Sequence, residues 1–425
     1  MDKRLCSNSA EAAVPRDEDA GALLLGYSRR MPPTGDPREA NEGRKPGILY
    51  LDHHATTPLD PRVLDAMLPY LREEFGNPAS TSHALGWSAE AAVEDARERI
   101  AHALGARPSE VVFTSGATES NNLALLGLFG AAGGGHAISV ESEHPAVLDP
   151  CAQLERLGVE VTRLPVSHQG LIEPEAVEAA LRDDTRLVSV MAANNEIGVL
   201  QPIDRIGALC RARGVFFHTD AAQAAGRIEL DVQAGAIDLL SLSAHKFYGP
   251  KGIGALFVRG RDPRVRLEPR QWGGGHERGL RSGTLPVAQI VGMAKALELC
   301  LEEREAEQGR LLGLRDRLWA CLSADLEGVR LNGHPDLRLA GNLNVAFEGV
   351  DGERLILALP GLAISSGSAC ASATPGPSHV LTALGLPRAL ASASLRFGLG
   401  RSTTEAVVDQ AAERVVEAVR KERSV

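Results

Sequence analysis

The chain contains no apolar run approaching the roughly 20 residues that a helix needs to cross a bilayer. Its nearest early candidate, GALLLGYSRR, is short and follows a string of acids. No secretory signal is read there, and the expected location is cytoplasmic. A surplus of positive charge is also missing. The formal net charge is -10, with basic residues scattered among acidic ones, so no Lys/Arg field exists to neutralise a phosphate backbone, and direct nucleic-acid binding is not expected. None of the 6 cysteines forms a CxxC pair, which argues against a disulfide scaffold, a zinc ribbon or a four-cysteine cluster, and no resident metal is expected. Internal repeats and low-complexity tracts are absent too.

What is present is an ordinary globular composition: 425 residues, 44% hydrophobic and 24% charged, enough to build a sizeable core over two domains. Residues 1–46 carry acids, Arg, Pro and Gly without a helical or strand period and read as a mobile N-terminal extension. Beyond them, apolar β-branched runs (VVFT, AISV, LVSVM, VFFHTD, IDLLSLS) alternate with amphipathic stretches such as WSAEAAVEDARERIAHAL. That alternation predicts an α/β fold, a mostly parallel sheet with helices on both faces, and ligands gathered at the carboxyl ends of the strands. A long helical pattern over 287–324 leads into a shorter region of mixed type, expected as a smaller α+β domain. The expected division is 47–300 for the large domain and 301–425 for the small one.

Several strand ends carry residues with chemical potential. In VVFTSGATESNNLALLGL a glycine turn places Ala117 and Thr118 at a helix start, where free N–H groups favour an anion; plain N-capping is the competing reading. Asp220 follows directly on VFFHT, and Gln223 stands three residues on, where a helical start would bring both to one side. A carboxylate there can keep a pyridine nitrogen protonated, although Asp after a strand is also a common cap or metal ligand. Lys246 lies just behind the strand IDLLSLS, together with Ser243 and His245. Desolvation there would lower its pKa, as Schiff-base chemistry requires, whereas an arbitrary lysine would snorkel at the surface. His144, beyond another strand end, could stack on a ring or shuttle protons. Arg396 in SLRFGLG calls for an anionic partner, either a substrate carboxylate or a structural carboxylate. Cys210, Cys300 and Cys321 sit in apolar helical patterns that suggest packing. Cys370 sits in SSGSACAS, a stretch of small residues that offers it no core, and reads as a reactive thiol on a flexible loop, mobile without substrate.

Ten segments, LDHHATTP, FGNPAS, FTSGATESNN, ESEHPAVLD, NNEIGV, HTDAAQ, SAHKFYGPKGIG, GGGHERGLRSGT, SSGSACAS and SLRFGLGR, together resemble the cysteine desulfurases of the NifS/IscS type, in the class V branch of the fold-type I pyridoxal-phosphate (PLP) enzymes. The resemblance runs from about Leu49 to the last helix. It implies a seven-stranded type of sheet in the large domain, with Lys246 bonded to the cofactor and Asp220 on its ring nitrogen. Gln223 would bond the phenolic oxygen, and His144 would stack on the ring. Ala117, Thr118, Ser243 and His245 would hold the phosphate, with Thr284 reaching across a homodimer interface to the partner's phosphate. Asn195 and Arg396 would bind the substrate carboxylate. The implied reaction takes L-cysteine to L-alanine. It leaves a persulfide on Cys370 for a sulfur-acceptor or scaffold protein in iron–sulfur cluster assembly, thio-cofactor synthesis or tRNA thiolation, and Cys370 would contact a cluster only transiently. An aminotransferase or a selenocysteine lyase keeps the same fold and cofactor, and a sulfur carrier with purely structural PLP is a third reading. His53 and His54 depart from the Asn, Tyr, Ser or Ala that relatives often carry. The ending RKERSV lacks the tail by which housekeeping members meet their scaffold.

Overall fold

The computed structural model describes residues 47–130, 134–366 and 376–424. The expected N-terminal extension and the Cys370 loop therefore lie outside the described residues. In chain order the strands are β1 (Leu49–Tyr50), β2 (Val111–Thr114), β3 (His136–Val140), β4 (Glu160–Leu164), β5 (Thr185–Ser189), β6 (Phe216–Asp220), β7 (Leu239–Ser243), β8 (Gly254–Val258), β9 (Val329–Leu331), β10 (Asn342–Phe347), β11 (Leu362–Ala363), β12 (Ser365–Ser366) and β13 (Ser394–Gly398). The helices that matter below are α1 (Pro61–Arg72), α2 (Ala84–Ala103), α3 (Ala117–Phe129) and α4 (Pro145–Arg156). They are followed by α5 (Pro174–Ala180), α6 (Ile203–Arg213) and α7 (Val287–Asp325), then by the short α8 (Gly352–Leu357), α9 (His379–Ala383) and α10 (Arg388–Ser392).

Seven strands form one sheet in the order β2-β8-β7-β6-β5-β3-β4. Only β8 runs against the others, pairing antiparallel with both β2 and β7. Central strands covered on both faces need continuous apolar runs, and β7 (LLSLS) and β8 (GALFV) are buried at every position. The edge strand β4 reads EVTRL and is largely exposed or half-buried, as suits an edge that must not recruit another chain. Each expected strand is present with ends that agree to within two residues, and the mostly parallel sheet flanked by helices is the architecture the alternation predicted.

Helix α7 serves two apolar cores. Its first half (Ile290, Met293, Leu297) packs into the core under the large sheet, and its second half (Leu311, Leu314, Leu318, Leu322) packs with β10, β13 and the last helix, α11 (Glu405–Arg423). The four-stranded sheet β12-β13-β10-β9 belongs to this second core. Beside β2, the buried Arg97 of α2 grips Glu277 through both Nη atoms at 2.9 and 2.7 Å, and Glu277 also accepts the Phe113 N–H. A satisfied, bidentate buried pair of this kind fixes where the β2 end stands.

A polar bridge crosses the sheet interior. His218 on β6 joins Ser189 Oγ of β5 (2.8 Å) to Ser241 Oγ of β7 (3.1 Å). Burial pushes its pKa down to about 4, against an opposing pull from Asp220. The unfolded chain binds this proton first, so the contribution to stability is complete above the unfolded value of about 6.5 and is lost as pH falls towards 4. The difference corresponds to about 3 kcal/mol. Melting curves at pH 7 and pH 5 are expected to show a larger drop for the parent than for His218→Gln. Equal drops would assign the acid sensitivity elsewhere.

Candidate active site

The carboxyl ends of β2, β3, β5, β6 and β7 surround a cleft of about 580 Å³. At one end, β2 turns through Ser115 and Gly116 into α3. Gly116 has φ +153°, a conformation side chains avoid, and no side chain caps the helix. Ala117 and Thr118 line the cleft there, faced by Ser243 and His245 from the end of β7. The turn and β7 lie close: a Cβ on Gly116 would stand 3.5 Å from Ser243 Oγ. An uncapped helix start beside a hydroxyl and an imidazole is a cradle for an anion. His245 is held near Thr56 Oγ1 (3.1 Å), and burial, then Lys246 and Lys251, lower its pKa to about 4. It is therefore a neutral hydrogen-bonding group near pH 7.

Lys246 ends the single turn Ala244–Lys246 that follows β7. Its Nζ donates to the carbonyls of His54 (2.8 Å) and Ala55 (2.9 Å), which anchor the amine inside the cleft. Asp220, at the last position of β6, is 6% exposed. Its Oδ2 accepts from Asn121 Nδ2 (2.7 Å) and its Oδ1 from the Ala222 N–H (2.9 Å), leaving lone pairs on both oxygens for a ligand.

Gln223 shares the cleft with Asp220, as expected, through a single helical turn that does not continue into a helix. Residues 221–225 make one turn, Ala225 N–H to Ala221 O at 2.9 Å. The chain breaks off at Gly226, φ +73°, where a Cβ would meet Cys300 Cβ at 2.7 Å. Close packing against α7 thus ends the helix after one turn. Gln223 Nε2 donates to His54 O (2.8 Å), and its Oε1 faces Arg227 Nη1 (2.7 Å) and His54 Nδ1 (3.0 Å).

His144 caps α4, its Nδ1 accepting from the Ala146 N–H at 3.0 Å. That bond assigns the hydrogen to Nε2. Burial, offset in part by Asp220, lowers its pKa, and protonation at Nδ1 would also forfeit the cap. Asn195 lines the cleft and is 7% exposed; among the described residues its Oδ1 has no protein partner. Arg396 on β13 donates to Asn195 O (2.8 Å), and its Nη2 reaches Asp52 Oδ1 and Ser365 Oγ, each at 2.8 Å. Both sequence readings of this arginine therefore meet in one place: it carries a structural carboxylate while lining the cleft.

Ten of the sequence-predicted residues thus line one cavity. Thr284 does not: it is exposed and outside the cleft. Cys370 lies outside the described residues. Sequence reasoning missed Asn121, Asp52 and Arg227. It flagged His54 without a role, and that residue proves to support Lys246 and Gln223 together. No local pattern marks Asn121, Asp52 or His54, whose partners lie 99 or more positions away; Arg227 stands four residues after Gln223, but an Arg–Gln pair at that spacing carries no charge signal. Among the described residues no group of three His, Cys, Asp or Glu side chains could hold a metal, and no helix is long and apolar enough to cross a membrane.

A parallel sheet whose strand ends gather a lysine, a carboxylate and an anion cradle defines a class. The chain belongs to the class-V aminotransferase family, whose sequence profile, Aminotransferase class-V, matches residues 49–411. Within it, curated relatives carry the name cysteine desulfurase. "Cysteine desulfurase IscS" of Aeromonas salmonicida (strain A449) is 57% identical over 367 residues, covering 85% of this chain and 90% of the relative. The protein of that name from Anaeromyxobacter sp. (strain Fw109-5) is 55% identical over 379 residues, covering 89% and 94%. Among solved structures, a "NIFS-LIKE PROTEIN" superposes with TM-score 0.81 at 36% identity, covering 88% of this chain and 100% of the other. "SspA in complex with cysteine" gives 0.74 at 41%, covering 82% and 98%.

Proposed function

We propose that this protein is a PLP-dependent cysteine desulfurase that converts L-cysteine to L-alanine and keeps the sulfur on Cys370. The observation that carries the reading is the meeting of Lys246, Asp220, His144 and the Gly116–Thr118 cradle in one cleft. The desulfurase relatives, and a structural neighbour titled as a complex with cysteine, support the substrate.

The residues fit the cofactor. The cradle with Ser243 and His245 suits its phosphate, Asp220 its ring nitrogen, Gln223 its phenolic oxygen, His144 its ring face and Lys246 its aldehyde. When bound, PLP supplies an electron sink that makes the substrate α-proton removable. Asp220 holds the proton on the ring nitrogen. Lys246 Nζ takes the α-proton, from a position set by two carbonyls. Asn195 and Arg396 orient the substrate carboxylate. The Cys370 thiolate attacks the substrate sulfur: the new S–S bond forms as the C–S bond breaks, its electron pair returning to the substrate carbon, which is protonated to the methyl group of alanine. His144 Nε2–H is the nearby donor for that proton traffic. L-cysteine and the thiol thus become L-alanine and a persulfide, with no external oxidant. Equal yields of alanine and sulfane sulfur from L-cysteine test the reading, and absence of alanine overturns it.

A homodimer belongs to the same proposal. Leu71 and Phe75 at the end of α1 and Leu85 and Trp87 at the start of α2 are exposed, Phe75 by 69% and Trp87 by 55%, a band suited to burial against a second copy. Thr284 would then complete the partner's phosphate site. Sedimentation is expected to give twice the mass of the chain, and a stable active monomer would overturn the shared site. The division into domains 47–300 and 301–425 is proposed on the two cores joined by α7. A cytoplasmic place and a protein acceptor of the sulfur, in cluster assembly or thiolation, complete the reading.

A further inference from the structure

Arg227 stands directly behind the cleft and has an unusual set of partners. Its Nη1 donates to Gln223 Oε1 (2.7 Å) and Gln223 O (3.1 Å), and its Nη2 donates to Lys246 O (2.9 Å) and reaches His53 O at 3.5 Å. All of these acceptors are neutral, as is the His54 ring whose Nδ1 lies 3.3 Å from Nη1, and among the described residues no carboxylate forms an ion pair with Arg227. The nearby acid Glu307 is engaged by Arg401 and Tyr248 instead. A half-buried guanidinium without a counter-ion is unfavourable by itself and is favourable beside an anion. The side chain between it and the cleft is Gln223.

Arginine offers donors only. The amide atom facing it must therefore be the oxygen, so the amide nitrogen is forced to the other side, where one hydrogen goes to His54 O and the second remains for the cleft. We infer that Arg227 is a positioning residue, resting on the PLP reading above: it locks Gln223 with its N–H towards the cofactor's phenolic oxygen and adds positive charge behind that bond, stabilising the oxygen as an anion. By holding the Lys246 carbonyl, the same guanidinium fixes the backbone of the lysine against that oxygen.

A donor on an anionic oxygen lowers the proton affinity of the group that shares its charge. The other titratable or charged groups facing this part of the cleft are Asp220, His144, His54, His245, Lys246 and Arg396, with Tyr248, Cys300 and Glu307 behind Arg227. Substituting Arg227 leaves these side chains in place but removes a charge that lowers the proton affinity of His54, Tyr248 and Cys300, which is why the Gln223→Ala background is the deciding control.

The test is a pH titration of the visible absorption of the PLP-loaded protein, without substrate. Arg227→Met is expected to raise the midpoint by about one unit and to weaken cofactor binding about tenfold. Arg227→Lys, which keeps the charge but not the fork, recovers part of the shift. In a Gln223→Ala background the Arg227→Met change adds little, because the effect runs through the amide. An unchanged midpoint in Arg227→Met, or the same added shift without Gln223, overturns the inference, even if melting temperature falls. Should Arg227→Met not fold, Arg227→Lys and Arg227→Gln are titrated in its place under the same criteria. A parent chain that takes up PLP without developing a lysine-dependent absorption overturns the PLP reading itself, and this inference with it.

Discussion

Replacing Lys246 with alanine is expected to lower turnover of L-cysteine on the order of 10⁴-fold and to abolish the visible absorption that a lysine-bound PLP gives. Two functions fall at once. On the proposed reading, the substitution removes both the amine that would bond the cofactor and the base that would take the α-proton. The geometry leaves no substitute: Nζ is steered into the cleft by the His54 and Ala55 carbonyls, whereas the other lysine lining the cavity, Lys251, is exposed at its rim. Lys251→Ala is accordingly expected to keep the absorption. Turnover and absorption spectra of both variants check this, and equal losses in the two would remove Lys246 from its assigned place.

Asp220→Ala is expected to cost about 10³-fold in turnover while leaving the lysine-dependent absorption in place. The carboxylate stands at the end of a buried strand, with Asn121 and the Ala222 N–H each holding one oxygen. Its two bonds are to neutral donors, so its charge remains available to a protonated ring nitrogen. Without it the ring nitrogen loses its proton, and the electron sink loses most of its pull. Asp220→Glu keeps the charge but lengthens the side chain by a methylene beyond the Asn121 bond, and an intermediate loss is expected. Single-turnover measurement of α-proton exchange separates this effect from substrate binding. Exchange at the parent rate in Asp220→Ala would contradict the role.

The strand ends were the legible part of this protein. Apolar, β-branched runs stop abruptly at Thr114, Asp220 and Ser243, and because parallel strands present their carboxyl ends to one side, residues far apart in the chain were predictable neighbours. Spacing from Asp220 offered Gln223, and the resemblance placed Asn195 as well. The helical start after Asp220 was legible, but its stop after one turn was not, because the cause, the close approach of Gly226 to Cys300 on α7, is tertiary and leaves only a glycine in the sequence. Asp52, which shares Arg396 with the cleft, and Asn121, which holds Asp220, are partners across 344 and 99 positions. No periodicity reports contacts of that separation. The pair His53-His54 was visible as a departure from relatives, yet the useful group on His54 is its backbone carbonyl, which binds Lys246 and Gln223 and which any residue would supply. Its buried side chain, held neutral by burial and then by Arg227 and Arg396, adds a contact to Gln223 Oε1.

The most direct measurement adds L-cysteine to the PLP-loaded parent and to Cys370→Ala, and quantifies L-alanine and protein-bound sulfane sulfur in both. Alanine and persulfide are expected in equal amounts from the parent, and neither from the variant although its absorption spectrum is intact. Alanine at the parent rate from Cys370→Ala would contradict the desulfurase reading and would assign the cleft to a lyase that releases the sulfur without a cysteine acceptor.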